Sequence, residues 1–270
     1  MYLLQDRDFW IDGGSMFGLI PRVLWSRVMK PDALNRIRLV TNSVLLQRGG
    51  DWMLIEAGIG DVLPKKEAGY VNLQPQTNLI DRLRERGVRP EDIRWLVLTH
   101  LHYDHSGWCT RPDGQGGFVP TFPNAEYIVQ ASQLGRAFYP SRRDRGSYMK
   151  QSLEPVQRAG LWKPVQGIVD VAGDVRLLPT GGHTPGHQVV LFEEAGRTHF
   201  YTGDLIPTTR HLGPAYGIAY DADAETVVAQ KQRFLTRACD EAWQAVWCHD
   251  PDRPVTRVVR DERGELTAAE

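Results

Sequence analysis

One run of residues constrains this chain more than any other part of its sequence: Thr99-His100-Leu101-His102-Tyr103-Asp104-His105. Its imidazole and carboxylate groups are good ligands for a divalent metal ion of borderline softness. The run directly follows the apolar stretch 94–98, which predicts a short strand buried on both faces. Side chains on a loop just beyond a fixed strand end can converge on one point. Because the chain has only 8 histidines in 270 residues, chance clustering is a poor explanation, and the run predicts a metal site.

Three later segments end in a ligand-type side chain in the same manner. Each is a predicted strand that stops shortly before one such residue: Leu177-Leu178 before His183, Tyr201-Thr202 before Asp204, and Ala245-Val246-Trp247 before His249. An isolated histidine at a strand end is more often structural than functional, so each segment is weak when taken singly. Because a sheet brings strand ends to a common edge, we expect these segments to converge with the first run. Two metal ions a few ångströms apart would use all of these ligands.

The remaining pattern predicts a mixture of strands and helices. A hairpin is expected from Ile37–Gln47 and Trp52–Ile55, and a helix from Asn78 to Arg86 with Thr77 as its cap and Gly87 as its stop. A second helix is expected over Ala224–Ala238, with Asp223 as its cap and an apolar stripe. Further strands are predicted at 126–129, 176–178, 187–192 and 198–202. This order favours two mixed sheets packed together and covered by helices.

Composition excludes several classes of function. The net charge of −1 offers nothing to attract nucleic acid or an anionic membrane surface. No apolar run approaches the roughly 18 residues of a membrane helix. The cysteines Cys109, Cys239 and Cys248 are odd in number and have no paired spacing, which favours a reducing, cytoplasmic setting. We therefore expect a cytoplasmic protein whose partner is a small-molecule substrate.

Four segments, taken in their order along the chain, resemble the motifs of the metallo-β-lactamase superfamily. They are the H-x-H-x-D-H run, Gly182-His183-Thr184-Pro185-Gly186-His187, Gly203-Asp204 and Cys248-His249-Asp250. The resemblance implies a single α/β domain over residues 1–270, a four-layer αβ/βα sandwich of two mixed β-sheets flanked by helices. It also implies how two divalent ions would be held, with zinc expected first and manganese, iron or cobalt also compatible. His100, His102 and His183 would hold one ion, Asp104, His105 and His249 the other, and Asp204 would bridge both. His187 is implied to support the site without binding metal.

One branch of the superfamily fits best. Residues 187–193 and Trp247-Cys248-His249-Asp250 are similar to the N-acyl-homoserine lactonases, and also to organophosphate hydrolases of the methyl parathion type. We expect a metal-bridging hydroxide to cleave an ester-like bond, with lactones first among substrates. A thioesterase similar to glyoxalase II and an organophosphate or aryl esterase use the same kind of metal site and stay open as alternatives. A metal-binding protein without turnover is a third hypothesis.

The chain also departs from the lactonase pattern. Lactonases place a tyrosine three residues after the bridging aspartate, and here that residue is Pro207. Either His211, Tyr216 or Tyr220 would then supply a hydrogen bond to the substrate, or the chemistry differs. Of these three residues we predict His211. Asp104 is predicted to act as a proton shuttle in addition to binding metal. Glu56 stands where the family usually has an aspartate in a supporting position.

Two segments bear on substrate and assembly. Residues 136–165 interrupt the regular pattern, and we interpret them as an insertion that covers the metal site and shapes the substrate pocket. They include a basic stretch, Arg142, Arg143, Arg145 and Lys150, which is either an attraction for an anionic substrate or an ordinary solvated surface. The apolar segment 15–29 would supply another pocket wall or the contact of a homodimer.

Overall fold

The computed structural model describes residues 1–74 and 78–269, and it divides into two compact units. The first unit contains Met1–Asp8 and Thr41–Gly167, and the second contains Phe9–Val40 and the chain from Ile168 onward. The chain therefore enters the second unit early, returns to the first, and ends in the second. The expectation of a single domain over residues 1–270 stays a prediction.

The strands in chain order are β1 (Tyr2–Gln5), β2 (Phe9–Asp12), β3 (Arg36–Leu39), β4 (Asn42–Arg48), β5 (Asp51–Ile55), β6 (Ile93–Val97), β7 (Thr110–Pro112), β8 (Phe118–Pro120), β9 (Glu126–Gln130), β10 (Trp162–Val165), β11 (Val169–Val171), β12 (Val175–Pro179), β13 (Gln188–Glu194), β14 (Arg197–Tyr201), β15 (Gln244–Val246), β16 (Val255–Arg260) and β17 (Leu266–Ala269).

The α-helices in chain order are α1 (Gly13–Phe17), α2 (Arg22–Trp25), α3 (Lys65–Tyr70), α4 (Leu79–Glu85), α5 (Tyr103–Ser106), α6 (Ala131–Phe138), α7 (Lys150–Arg158) and α8 (Ala224–Asp240). Short 3₁₀ helices occur at Pro90–Asp92, Gly107–Cys109, Arg145–Ser147, Gly203–Leu205 and Thr209–His211. Within the described residues, none of these helices is both long and apolar enough to cross a lipid bilayer.

The first unit is built on a mixed sheet with the strand order β1-β4-β5-β6-β9-β10. The pairs at the β1 end are antiparallel, and those from β5 to β10 are parallel. Leu96 of β6 is fully buried, together with Leu83 of α4 and Val156 of α7, in one hydrophobic cluster. The predicted buried strand before His100 is thus confirmed, and it gives the run that follows a rigid base.

The second unit is built on a mixed sheet with the order β11-β12-β13-β14-β15-β16-β17. Its pairs are antiparallel except β14 with β15, which run parallel. Helix α8 packs Phe234 and Leu235 against Phe200 of β14. Two mixed sheets, one in each unit, agree with the sequence prediction.

Some details of the predicted elements are wrong. The strand expected over Ile37–Gln47 is broken, because β3 pairs with β2 while β4 pairs with β5. Val228, assigned to the apolar stripe of the last helix, is 36% exposed. The cap of α4 is Asn78, whose side chain accepts hydrogen bonds from the backbone of Ile80 and Asp81; Thr77 lies outside the described residues.

The segment 136–165, interpreted as an insertion, is more regular than its sequence suggests. It holds the end of α6, all of α7, and β10, which pairs with β9 in parallel. Tyr148 and Leu153 are buried in the core of the first unit. The segment therefore contributes to that unit's core. Its role in covering the metal site stays a prediction.

A buried carboxylate ties together several parts of the first unit. Asp6 accepts hydrogen bonds from the backbone of Leu79 at 2.8 Å and of Ile59 at 3.0 Å, and a longer one from Trp108 Nε1 at 3.4 Å. Burial raises the pKa of Asp6, although these donors oppose the shift.

We predict that Asp6→Ala lowers the free energy of unfolding by about 3 kcal/mol, because it leaves buried donors without an acceptor. Asp61→Ala serves as a control, since Asp61 is half exposed in its ion pair with Arg7 and its loss should cost less than about 1 kcal/mol. Urea unfolding of the three proteins measures both values, and equal losses in the two variants would contradict the prediction.

Candidate metal centre

The first unit brings the four ligand-type side chains of the H-x-H-x-D-H run together. His102 caps α5, and its carbonyl accepts hydrogen bonds from the backbone of His105 and Ser106 at 3.0 Å. This tight turn places Asp104 and His105 just beyond His100 and His102. His100 and His105 are fully buried, His102 is 5% exposed, and the Asp104 side chain is 14% exposed.

The rings lie close enough to act on a shared point. The ring centroids of His100 and His102 are 4.6 Å apart, and those of His100 and His105 are 4.0 Å apart. His105 Nε2 lies 3.8 Å from Asp104 Oδ2. The ligand atoms of His100 and His102 lie within 4.8 Å of each other, as do those of Asp104 and His105. Within this unit the run therefore brings its ligand atoms into two close pairs, His100 with His102 and Asp104 with His105.

Glu56 fixes the orientation of this cluster. Its Oε1 accepts a hydrogen bond from the backbone of Thr99 at 2.6 Å, and its Oε2 lies 2.6 Å from His105 Nδ1. The carboxylate is fully buried, and Glu56 has a left-handed backbone with φ of 69°. Strained residues of this kind concentrate at functional sites. With Nδ1 donating to Glu56, the lone pair of His105 is at Nε2, the atom that faces Asp104.

The second unit assembles a matching set around Asp204. This residue lies in the 3₁₀ helix that follows β14, and its two carboxylate oxygens face two different imidazoles. Asp204 Oδ2 is 3.3 Å from His183 Nε2, and Asp204 Oδ1 is 3.1 Å from His249 Nε2. A carboxylate with one oxygen toward each imidazole has the arrangement that a bridging ligand needs.

Both imidazoles are held through their other nitrogen. His183 Nδ1 donates to Asp221 Oδ1 at 2.9 Å, and the other oxygen of Asp221 accepts from the backbone of Ile218 at 3.0 Å. His249 Nδ1 donates to the carbonyl of Val40 at 2.8 Å. As with His105, these bonds leave Nε2 as the basic atom.

Gly182 allows the His183 turn to lie against α8. Its φ is +75°, and a Cβ there would lie 2.9 Å from the backbone nitrogen of Val227. A side chain at this position would push the turn away from the helix.

His187, which is expected to support the site without binding metal, is hydrogen-bonded to Asp204. Its Nε2 accepts a hydrogen bond from the backbone of Asp204 at 3.1 Å, while Nδ1 lies 2.6 Å from Thr180 Oγ1. Both ring nitrogens are thus committed within the second unit, and His187 positions Asp204.

The sequence interpretation missed three residues of these surroundings. Asp221 had no signal, because nothing in the local pattern relates it to His183. Cys248 is not among the predicted ligands, yet its thiol lies 3.3 Å from Asp204 Oδ1 and groups with Asp204 and His249 as ligand-type atoms. Tyr148 lies in the segment 136–165, and its ring centroid is 5.0 Å from that of His102.

His211 lies in a different environment from the ligands. The ring is fully buried and stacks on Phe17 with centroids 4.6 Å apart. Nε2 donates to the carbonyl of Met16 at 2.8 Å, so Nδ1 accepts from Thr208 Oγ1 at 2.8 Å. Burial lowers the pKa of His211 to about 4, which keeps the ring neutral near pH 7. The alternatives to His211 are Tyr216, which packs edge-on against Phe17, and the partly exposed Tyr220.

Comparisons with known proteins indicate the family of this chain. A family model described as "Metallo-beta-lactamase superfamily" matches residues 36–249. An N-acyl homoserine lactonase of a Bacillus species is 34% identical over 134 residues, which are 50% of this chain and 44% of that protein. The N-acyl homoserine lactonase AttM of Rhizobium radiobacter is 30% identical over 188 residues, 67% of this chain and 66% of that protein. The matches thus span between about half and two thirds of these relatives.

Solved structures show the same fold. A probable metal-dependent hydrolase from Staphylococcus aureus superposes with a TM-score of 0.90 at 25% identity, covering 100% of this chain and 96% of that one. AidC, described as a dizinc quorum-quenching lactonase in complex with its product, superposes with a TM-score of 0.79 at 19% identity, covering 99% and 93%. The second likeness is one of fold alone. The fold predicted from the sequence is confirmed.

We predict that Glu56→Gln weakens metal binding about 10- to 100-fold. One end of the glutamine side chain would present an amide NH₂ to either Thr99 N or His105 Nδ1, both of which are donors. Competition with a chromophoric chelator measures the affinity. Glu91→Gln, at an exposed position of a 3₁₀ helix, is the matched control; unchanged affinity in Glu56→Gln would show that the carboxylate does not position the ligands.

We also predict a pH dependence of stability that arises from His211. Its folded pKa of about 4 lies below the ordinary value of 6.5, so the unfolded state takes up a proton first as the pH falls. The ring's contribution is therefore fully present above about pH 6.5 and declines toward pH 4, by about 3 kcal/mol at most. Urea unfolding of wild type and His211→Gln at pH 7, 6 and 5 should show their stabilities converging; a constant difference would refute the assignment.

Proposed function

Since this chain belongs to the metallo-β-lactamase superfamily, we propose that it is a dinuclear metal-dependent hydrolase that opens lactone rings, with N-acyl-homoserine lactones as its substrate class. One observation carries the proposal: the Asp204 carboxylate presents one oxygen to His183 Nε2 and the other to His249 Nε2. The lactonases among the curated relatives support the choice of substrate.

The donor set fits two divalent ions. We propose that His100, His102 and His183 would hold one ion and that Asp104, His105 and His249 would hold the other, with Asp204 shared between the two sets. Imidazole nitrogens and carboxylate oxygens suit zinc, and also manganese, iron and cobalt. Support comes from the hydrogen bonds at Nδ1 of His105, His183 and His249, which leave Nε2 as the basic nitrogen. When bound, such ions lower the pKa of a shared water to near neutrality and polarise a carbonyl.

Asp104 is proposed to move the proton. Among the seven proposed ligands, Asp104 has the most exposed side chain, at 14%, and it lies in the first turn of the short helix α5. Ring opening adds the oxygen of water to the carbonyl carbon and breaks the bond to the ring oxygen. The departing alkoxide needs a proton, and Asp104 would carry it there from the attacking water. The products are the carboxylic acid and the alcohol of one opened chain.

His211 is proposed to act on substrate binding through the backbone of α1. A direct hydrogen bond to substrate would require its bond to Met16 or to Thr208 to break. The ring instead holds the Met16 carbonyl and stacks on Phe17. The neutral imidazole thus positions the segment 13–17 and supplies no charge of its own.

The proposal predicts a metal-dependent lactonase activity. Removing metal with a chelator should abolish turnover of N-hexanoyl-homoserine lactone, and adding Zn²⁺, Mn²⁺ or Co²⁺ should restore it. His102→Ala and Asp104→Asn should each lower kcat/KM by about 10³-fold or more. His199→Ala is the matched control, because His199 packs on Phe192 of its own sheet and is not among the proposed ligands.

Metal content should be measured beside activity, with a panel of lactone, thioester, aryl ester and phosphotriester substrates. A metal-free protein that opens the lactone at the normal rate would refute the metal mechanism. A metal-loaded protein that prefers a thioester or a phosphotriester would keep the metal centre and replace the substrate.

A further inference from the structure

The first unit contains a cavity of about 240 Å³ that the catalytic proposal does not use. Its walls are mainly apolar and include Ala137, Phe138 and Leu153. An apolar cavity of roughly 150 Å³ is enough to hold benzene, so this one has room for a short stretch of hydrocarbon chain. Complete small-molecule sites are somewhat larger, about 300 Å³ or more. The volume of this cavity therefore suits only part of a ligand.

One wall of the cavity lies next to the proposed metal centre. Tyr148 lines the cavity, and the same ring packs edge-on against His102 with centroids 5.0 Å apart. The ring is 6% exposed, and Tyr148 Oη accepts a weak hydrogen bond from Gln133 Nε2 at 3.4 Å. The cavity therefore begins one aromatic ring away from a proposed metal ligand.

Charged side chains also line the cavity. Arg145 and Lys150 line it and are exposed. Glu154 lines it as well, 4.0 Å from Lys150 and 3.7 Å from Arg158. Arg142 and Arg143 lie just before Arg145 in the chain and are exposed. The lining therefore carries two positive charges and one negative charge, an excess that favours an anion.

We propose that this cavity is a subsite for the distal part of the substrate, and that it favours an acyl chain that is apolar along its length and ends in a carboxylate. The inference rests on the proposed function, because the reacting lactone would be at the metal ions. The apolar chain would reach past Tyr148 into the cavity, and its terminal carboxylate would meet Arg145 and Lys150. Two residues of the basic stretch, Arg145 and Lys150, would thus bind the carboxylate of the substrate.

The test compares N-decanoyl-homoserine lactone with the same compound carrying a carboxyl group in place of the terminal methyl. With the metal-loaded wild type at low ionic strength, kcat/KM should be about 3- to 10-fold higher for the carboxylated chain, as expected for two solvent-exposed ion pairs. The double variant Arg145→Gln/Lys150→Gln should lose this preference. Arg142→Gln removes a neighbouring charge outside the cavity and should keep it. Salt near 1 M, which shortens the screening length to about 3 Å, should largely remove it.

Variants that fill the cavity with a larger side chain provide a second, independent measurement. Ala137→Leu and Phe138→Trp should lower kcat/KM for both ten-carbon chains about 10-fold relative to the four-carbon N-butanoyl lactone. Turnover of the N-butanoyl lactone also reports that each variant is folded. An equal change for short and long chains would overturn the subsite, and so would a wild type without preference for the carboxylated chain.

Failure of the proposed function would look different. If metal-loaded wild type opened no lactone, calorimetric titration with decanoate would still test the cavity. Binding should weaken at least 3-fold in Arg145→Gln/Lys150→Gln and in Ala137→Leu, but not in Arg142→Gln. Equal binding by all of these proteins would overturn the subsite whatever the substrate proves to be.

Discussion

The hydrogen bond at Nδ1 of each imidazole is the interaction on which the proposed chemistry depends. His105, His183 and His249 each use this nitrogen to bind a fixed acceptor, which is Glu56, Asp221 or the Val40 carbonyl. The bond selects the tautomer with a lone pair at Nε2 and prevents rotation of the ring. A neutral, oriented imidazole binds a divalent cation without first losing a proton or reorganising.

These hydrogen bonds place polar groups in the protein interior, where the free-energy cost of removing them from water must be offset. Buried polar groups are tolerated when they are hydrogen-bonded. Lys231 shows the same rule beyond the proposed ligands, since its buried ammonium group donates to the carbonyls of His211, Gly213 and Tyr216 at 2.8–3.1 Å. Burial lowers the pKa of Lys231 to about 8. This one side chain holds the loop that follows Asp204 and so connects α8 to the proposed bridging ligand.

The departure from the lactonase pattern at Pro207 can be compared with the surroundings of His211 and Tyr148. A proline three residues after Asp204 cannot offer the hydroxyl that lactonases are expected to have there. The residue predicted to replace it, His211, has both ring nitrogens bonded inside the second unit. An aromatic ring does lie beside His102, that of Tyr148, which belongs to the segment interpreted as an insertion. Substrate selection in this chain is therefore proposed to depend on that segment more than on the loop after Asp204.

The sequence by itself determined the fold class and the candidate ligands, because both depend on local information. A buried strand such as β6 has a recognisable apolar pattern, and the run after it has ligand-type side chains in a short, specific spacing. The helix α8 and its cap Asp223 could be predicted for the same reason. The sequence could not determine which acceptor holds each ring. Asp221 reaches His183 across 38 residues, and Val40 reaches His249 across 209. The break between β3 and β4 was also hidden, since both halves read as strand and only their pairing with β2 and β5 separates them. Local patterns report which elements form, whereas hydrogen-bond partners, ring tautomers and cavities depend on how distant segments meet, and only the tertiary structure decides that.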